Sequence, residues 1–491
     1  MINLTIDGKA VTVTAGTTIL AAAQKAGIDI PTLCYLKDQS VKANCRICLV
    51  EVKGGSGPVP ACASEAVQGM EVITDSAVII AGRRRSLQLI LTHHPIACQS
   101  CVRLGNSRHG DLSEEMCSMC FYCDCVRDGD CELQKLLKRY DVNGMDYVWA
   151  EKEYDSDTST SSIVRDSGKC ILCRRCVSAC GEVQGIYAWS ITGRGFHTAI
   201  ESAGGGLLAE SPCVECGQCV RSCPVGALYE TQNLDDLPDA AQDPAKTVIA
   251  RADPYFLKPY LRLAELDEHT IGEESLSAGL RRIGVDLVIG SVQADQAVNT
   301  DITAELKKRL SEGDTRPLLS ATCPASVQYL LTRFPQLSEC LSAVPGAQEQ
   351  FGSWAKANWG DAAYTLSLSA CSAKKMAAAE SVNVDQVMSP REINRLFGRS
   401  GADLNRLKPV ALDEPQQQEC RDIPDSDCAG IQEREVILDN QRILIASACG
   451  LRAVANVLEL VASGNCPYRY IQVAACPQGC QSAGDLPYET L

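Results

Sequence analysis

Two runs of cysteine hold the densest chemistry in this sequence. Cys170, Cys173, Cys176 and Cys180 are separated by two, two and three residues, and Cys213, Cys216, Cys219 and Cys223 repeat that spacing with Pro224 behind the last thiol. Three thiolates at this pitch wrap three corners of an iron–sulfur cubane, and the more distant fourth reaches the cubane of the other run. The spacing therefore predicts a crossed assignment. Cys170, Cys173, Cys176 and Cys223 hold one 4Fe–4S centre, and Cys180, Cys213, Cys216 and Cys219 hold a second. Zinc knuckles favour paired C-x2-C units over a doubled run. Gly181 stands where the second run has proline, a difference that leaves ligation untouched.

Nearer the start, Cys34 is followed by Cys45, Cys48 and Cys62. A close pair on a loop with two outlying thiols can enclose a 2Fe–2S rhomb, and a structural zinc site is the alternative. The strings Cys34-Tyr35-Leu36, Asn44 to Val52 and Ala61-Cys62 resemble the N-terminal domain shared by the large iron–sulfur subunit of complex I and multi-cluster FeFe-hydrogenases. The same families have a 4Fe–4S site of one histidine and three cysteines, written H-P-x-x-C-x-x-C-x5-C-E-L-Q. His94, Cys98, Cys101 and Cys131, the last opening Cys131-Glu132-Leu133-Gln134, resemble it. This sequence departs by an insertion carrying Cys117, Cys120, Cys123 and Cys125, and Cys125-x5-Cys131 reproduces the terminal spacing as well. Two readings stay open. Either the four added thiols hold a further centre, iron–sulfur before zinc, or the ligand set is reshuffled.

From about Asp253 onward the chain resembles the catalytic domain of FeFe-hydrogenases. Ser320-Ala321-Thr322-Cys323-Pro324 looks like T-S-C-C-P, Cys371-Ser372-Ala373-Lys374-Lys375 like M-P-C-x-x-K, and Ala475-Cys476-Pro477-Gln478-Gly479-Cys480 like M-x-C-x-x-G-C. The resemblance implies that Cys323, Cys371, Cys476 and Cys480 hold a 4Fe–4S cubane, which in the family is bridged to a hydrogen-active two-iron unit. The positions serving that unit differ. Thr322 replaces the proton-donating cysteine, and its hydroxyl cannot take that role near neutral pH. Ser369-Ala370 replaces Met-Pro, and Ala474 replaces the methionine of the third motif. Lys374 matches the lysine that pairs with a cyanide of the two-iron unit, with a plain surface charge as the alternative. The Gly-rich run after the last cysteine has become Gln481-Ser482-Ala483-Gly484-Asp485, and a Gly-rich segment between Glu414-Pro415 and Ile437-Leu438 is missing. The implied domain keeps a cubane and lacks hydrogen chemistry; a metal-free relic fold is the alternative. Cys340, Cys420, Cys428, Cys449 and Cys466 lack ligand spacing and read mostly as buried thiols.

Positioning these residues takes several domains, as 491 residues require. The reading is an α+β and α/β multidomain chain. Residues 1–78 form a β-grasp 2Fe–2S ferredoxin-like domain, with strands on either side of the Asp7-Gly8 turn and a helix from Ile19 to Lys25 after Thr17-Thr18, stopped by Gly27. Residues 79–140 carry a helix from Ala81 to Thr92, then the one-histidine segment. Residues 141–235 form a ferredoxin domain with two 4Fe–4S centres, Gly204-Gly205-Gly206 being a turn within it. Asp235 to Asp239 reads as a linker, and 244–491 as the α/β hydrogenase-like domain, with strands at Leu287 to Ile289 and Arg442 to Ile445.

Composition narrows the function. Twenty-eight cysteines in a long chain with no leader-like start suggest thiols kept reduced in a cytoplasm. The net charge of −15 disfavours nucleic acid, and no run is apolar enough to span a membrane. No dinucleotide fingerprint, Walker loop or catalytic triad is present, so hydride exchange falls to a flavin-bearing partner. The resemblance, to the multi-cluster subunit of trimeric electron-bifurcating FeFe-hydrogenase-like complexes without the hydrogen site, implies an electron-transfer subunit with one 2Fe–2S and four or five 4Fe–4S centres in an electron-bifurcating NAD(P)/ferredoxin oxidoreductase, a transhydrogenase first. Its expected partners are a flavin/NADH-binding subunit, a small 2Fe–2S subunit, an FAD/NADPH-binding subunit and ferredoxin. The rivals are the equivalent subunit of a formate dehydrogenase complex and a non-redox scaffold held by metal.

Overall fold

The computed structural model describes residues 1–92, 94, 100–101, 106–107, 125–127, 129–142, 156–413, 429–439 and 441–483. Strands β1 (Ile2–Ile6) and β2 (Lys9–Val13) pair antiparallel. Asp7 and Gly8 between them have φ of 47° and 79°, the twin positive values of the turn that matches strand twist. Helix α1 (Ile19–Lys25) begins at Thr18, whose hydroxyl accepts the Ala21 N–H at 3.2 Å. Strands β3 (Leu49–Val52), β4 (Val59–Pro60) and β5 (Glu71–Ile73) complete a sheet of order β2-β1-β5-β3-β4, with β1 and β5 parallel. This is a β-grasp. The alternating Leu4, Ile6, Val11 and Val13 fill the core beneath α1.

Helix α2 (Ala77–Leu91) starts ahead of Ala81 because Ser76 caps it by accepting the Ile79 N–H. Its inner face is Ile79, Arg83, Leu87 and Leu91, at the period of one helix side. The buried Arg83 guanidinium donates to Tyr140 Oη and Leu49 O, each at 2.8 Å. Short strands β6 (Ser100–Cys101) and β7 (Asn106–Ser107) pair, and helix α3 (Glu132–Arg139) opens at Cys131.

The next unit contains β8 (Ser156–Asp157), β9 (Ile163–Asp166), helix α4 (Arg175–Ser178), β10 (Trp189–Thr192), β11 (Ala199–Ser202), helix α5 (Gln218–Ser222) and β12 (Leu228–Glu230). β12-β9-β8 form one sheet and β10-β11 a hairpin. Asp235 to Asp239 is not a linker. Residues 236–242 form helix α6 (Asp236–Gln242), in which Leu237 is completely buried. Acidic residues suit a helix N-terminus and proline is tolerated in the first turn, so signs that read as a breaker belong to a helix start.

The C-terminal unit has strands β13 (Thr247–Ala252), β14 (Leu287–Ile289), β15 (Leu318–Leu319), β16 (Ala363–Leu368), β17 (Gln386–Met388), β18 (Gly430–Leu438), β19 (Gln441–Cys449) and β20 (Tyr470–Ala474). They form an all-parallel sheet, β14-β13-β16-β17, and a mixed sheet, β15-β20-β19-β18, in which only β18 runs antiparallel. Helices α7 (Pro324–Arg333), α8 (Ser372–Glu380), α9 (Pro390–Ser400) and α10 (Leu451–Ala462) pack about them. Cys449 is disulfide-bonded, not a free thiol. Cys340 is a buried thiol and Cys466 a half-buried one, while Cys420 and Cys428 lie outside the described residues.

Candidate metal centres

Loop conformation decides where the thiols point. In both C-x2-C-x2-C loops the residues two and four places after the first cysteine take positive φ. Leu172 and Arg174 have 54° and 64°, and Glu215 and Gly217 have 51° and 74°. The repeated left-handed steps turn each loop around a common centre, and α4 and α5 carry Cys176 and Cys219 inward. The fourth thiol of each run crosses over. Cys223 lines one cavity with Cys170, Cys173 and Cys176, and Cys180 lies among Cys213, Cys216 and Cys219. Burial pushes the Cys170 thiol up to about 11 and Cys216 to about 12. Without metal these groups stay protonated, so loading them releases protons.

Backbone and ring N–H groups already face the sulfurs. Ala188 N–H donates to Cys180 Sγ at 3.2 Å and Glu215 N–H to Cys213 Sγ at 3.4 Å. The buried Trp189 indole N–H, without an oxygen or nitrogen partner, favours the thiolate of Cys219. Such donors suit sulfurs that carry negative charge, as cubane ligands do, and the residues present fit that group.

The N-terminal thiols come together two by two. Cys34 pairs with Cys45 and Cys48 with Cys62, on a loop with positive φ at Ala43 and Arg46. The Cys45 hydrogen bond lowers the Cys34 thiol to about 6 and raises that of Cys45. A 2Fe–2S rhomb has two tetrahedral irons and asks two thiolates of each, so two thiol pairs fit it.

The one-histidine segment is described in part. His94 is buried, and its Nδ1 lies 2.9 Å from the Lys169 carbonyl. A carbonyl only accepts, so Nδ1 donates and the Nε2 lone pair stays open to a metal. Burial holds the ring pKa below the ordinary value, favouring that neutral form. Cys131 Sγ lies 3.6 Å from Pro224 O. Cys125 is buried, with its sulfur against Gly226 and in electrostatic contact with Lys169. All three residues thus bear on 169 and 224–226 of the dicluster unit. Cys98, Cys117, Cys120, Cys123 and the Cys101 side chain lie outside the described residues.

The C-terminal thiols sit at the carboxyl ends of parallel strands. Cys323 follows β15 and stands at the N-cap of α7, and Cys371 follows β16 and caps α8. Both face helix N-termini, where negative charge is favoured by about 0.3–1 kcal/mol. Cys476 follows β20, and Cys480 is exposed on the same loop. The four interact with one another, and Ala475 N–H donates to Cys323 Sγ at 3.4 Å. Gly450, at φ 89°, brings α10 against this loop, where an added side chain would sit 3.4 Å from Pro477. These residues fit a cubane.

Beside this quartet lies a closed charge network. Lys374 Nζ is 2.7 Å from both carboxylate oxygens of Asp253, and Arg251 reaches Asp253 at 2.9 Å and Asp295 at 2.6 Å. Opposite charges hold the buried Asp253 carboxyl low despite desolvation, Lys374 first and Arg251 next. The sequence reading missed Asp253, Arg251 and Arg175, because no local spacing marks them.

The quartets follow one another through one core. Arg175 is fully buried, pairs with Glu132 at 2.7 Å, and bears electrostatically on both Cys34 and Cys173. Cys176 feels Cys219, and Cys216 feels Cys323. Leu33, Ile47, Leu137, Trp189, Val220, Leu451 and Ala475 belong to a single apolar cluster that also takes in Cys45 of the N-terminal quartet, Cys131, most of the dicluster thiols, and Cys323 and Cys371 of the last quartet. Among the described residues, no three His, Cys, Asp or Glu are close enough to hold a single metal ion.

Comparison with known proteins divides the chain similarly. Residues 1–77 match the 2Fe-2S iron-sulfur cluster binding domain and residues 169–227 the 4Fe-4S dicluster domain. Residues 246–425 and 416–484 match the C-terminal domain of the iron only hydrogenase large subunit. The NADP-reducing hydrogenase subunit HndD of Solidesulfovibrio fructosivorans is 30% identical across 99% of this chain and 89% of its own length. Iron hydrogenase 1 of Clostridium pasteurianum is 25% identical with the same coverage. The alpha subunit of the NADPH-Fe(3+) oxidoreductase of Geobacter sulfurreducens is 35% identical over 46% of this chain but only 24% of its own length. Among the described residues no helix is long and apolar enough to cross a membrane.

Proposed function

The chain belongs to the iron-only hydrogenase large-subunit family and is an iron–sulfur electron-transfer subunit, and from that premise we propose that it relays electrons for partners while performing no hydrogen chemistry itself. The observation that carries this is the serial order of the thiol quartets along one shared core, with Arg175 acting electrostatically on both Cys34 and Cys173 at one end and Cys216 and Cys323 interacting electrostatically at the other. When bound, the clusters supply one-electron storage and exchange. The chain's own residues bury them, exclude water and aim N–H donors at their sulfurs.

The ligand sets are those of the spacing for Cys34, Cys45, Cys48 and Cys62 (2Fe–2S) and for the crossed dicluster sets (4Fe–4S), and that of the family resemblance for Cys323, Cys371, Cys476 and Cys480 (4Fe–4S). For the one-histidine centre, the placement of Cys125 against Lys169, whose carbonyl takes His94, favours the reshuffled reading. In it Cys125 joins His94 and Cys131 as a ligand. The absence of hydrogen activity rests on Thr322 in place of a thiol and on Lys374, already bound by Asp253. The partner set is that of an electron-bifurcating NAD/NADP transhydrogenase: flavin/NADH, small 2Fe–2S and FAD/NADPH subunits with ferredoxin. A formate dehydrogenase assembly is the rival.

Anaerobic purification with its partners tests the assignment. A flavin/NAD subunit with an FAD/NADPH subunit supports transhydrogenase; a molybdenum or tungsten protein in its place overturns it. Reduced viologen is expected to give no hydrogen with this chain, and robust evolution refutes the claimed loss.

A further inference from the structure

The dicluster quartet of Cys180, Cys213, Cys216 and Cys219 meets the C-terminal quartet of Cys323, Cys371, Cys476 and Cys480 across two glutamines. Both belong to the dicluster unit: Gln184 lies just beyond Cys180, and Gln218 between Cys216 and Cys219. They are 1% and 5% exposed. Gln184 Nε2 donates to Ala475 O at 2.7 Å and lies 3.7 Å from Cys216 Sγ, while its Oε1 accepts the Leu451 N–H at 3.1 Å. Gln218 Nε2 donates to Ser482 O at 2.7 Å and lies 3.5 Å from Cys476 Sγ.

A primary amide has two N–H donors. In each glutamine one is anchored on a carbonyl of the C-terminal loop and the other faces a sulfur. The two are complementary, since Gln184 serves the thiol of its own unit and Gln218 that of the neighbour. Burying an amide is costly unless its groups are matched, and here sulfurs complete the match.

An N–H aimed at a ligand sulfur stabilises negative charge there, and one-electron reduction adds negative charge to the centre. Hydrogen bonds to sulfur are among the determinants of cluster potential. We infer that Gln184 and Gln218 are positioning residues that raise the reduction potentials of the two adjoining centres and fix their mutual approach. Gln184 acts on the dicluster centre containing Cys216 and Gln218 on the centre containing Cys476. This rests on the proposal that the C-terminal quartet holds a cubane.

The test is an EPR-monitored redox titration of the full-length, anaerobically cluster-loaded chain. Cys476→Ser identifies the C-terminal signal. Gln218→Leu is expected to lower the midpoint of that centre alone, with about a tenfold fall in its reduced-to-oxidised ratio at fixed ambient potential, which is about 59 mV for a one-electron couple. Gln184→Leu is expected to lower the Cys216 centre in the same way. Should a leucine variant lose iron, Gln→Met at the same position, of similar length and without N–H, is titrated in its place. Midpoints that stay put, rise, or fall equally in every centre overturn the inference while leaving the cubane in place. A Cys476→Ser protein with as many centres as the unaltered chain overturns the cubane and the role of Gln218 together.

Discussion

At the scale of single residues, the thiols were legible because ligand spacing is a local property of the chain. The crossed pairing of Cys180 and Cys223 follows from loop reach alone, and the fold brings those thiols where the spacing puts them. Partners that depend on burial were not legible. Arg175, Asp253, Gln184 and Gln218 resemble ordinary surface residues in the sequence, and only tertiary packing removes them from water. Cys125 is a middle case. Spacing leaves it between two roles, and its sulfur beside Gly226 and its electrostatic interaction with Lys169 support the proposed role as a ligand with His94. Cys125→Ser is therefore expected to abolish or reshape the EPR signal of the one-histidine centre while the dicluster and 2Fe–2S signals persist. An unchanged spectrum would return the ligand role to Cys98 and Cys101.

Elements were read well wherever a cap or turn had its own chemistry. Asp7-Gly8 and Thr18 set the first hairpin and α1 at the anticipated residues. α2 begins ahead of Ala81 because Ser76 caps it, a signal the apolar period does not carry, and α6 stands where a linker reads from the sequence, since acidic residues and proline mark both helix starts and breaks. The cysteine loops make a sharper test of element conformation. Gly217 and Arg174 occupy the same left-handed step of the two repeats, which costs a residue with a side chain about 1–2 kcal/mol. Gly217→Ala is expected to destabilise the cluster-loaded protein by about that amount and Arg174→Gly to be neutral or stabilising, read from denaturant midpoints. Equal effects would mean that the loops are set by the clusters and not by the chain. Thr18→Ala is expected to cost about 1 kcal/mol, the ordinary worth of an N-cap, by the same measurement.

Across the whole molecule, a buried charge lock joins the units. Arg391 on α9 reaches Asp130 at 2.9 Å and Glu230 at 3.0 Å, Ser389 donates to Glu230 at 2.9 Å, and Lys375 pairs with Glu392 at 2.7 Å. Arg391→Met strips the buried Glu230 of its guanidinium and leaves Asp130 to Arg127 alone, at 3.2 Å, and is expected to cost about 3–5 kcal/mol, seen as a lower unfolding temperature. Burial opposes ionisation of Glu230, but Arg391 and the other partners outweigh it and lower its pKa. A depressed carboxylate contributes stability above its unfolded value of 4.5 and loses it as pH falls through the folded value. The deficit of Arg391→Met is thus expected to be constant near neutral pH and to shrink as acid protonates the unpaired Glu230. A deficit independent of pH would assign the loss to packing. The same lock and the shared core keep the quartets in one series, and that series is the central claim. It is tested most directly by measuring iron and acid-labile sulfide in the anaerobic chain together with stepwise dithionite reduction followed by EPR. The account predicts one 2Fe–2S and at least four 4Fe–4S centres that reduce and reoxidise reversibly, with interaction between neighbouring signals. Metal that stays redox-silent, or a C-terminal quartet without iron, would contradict it.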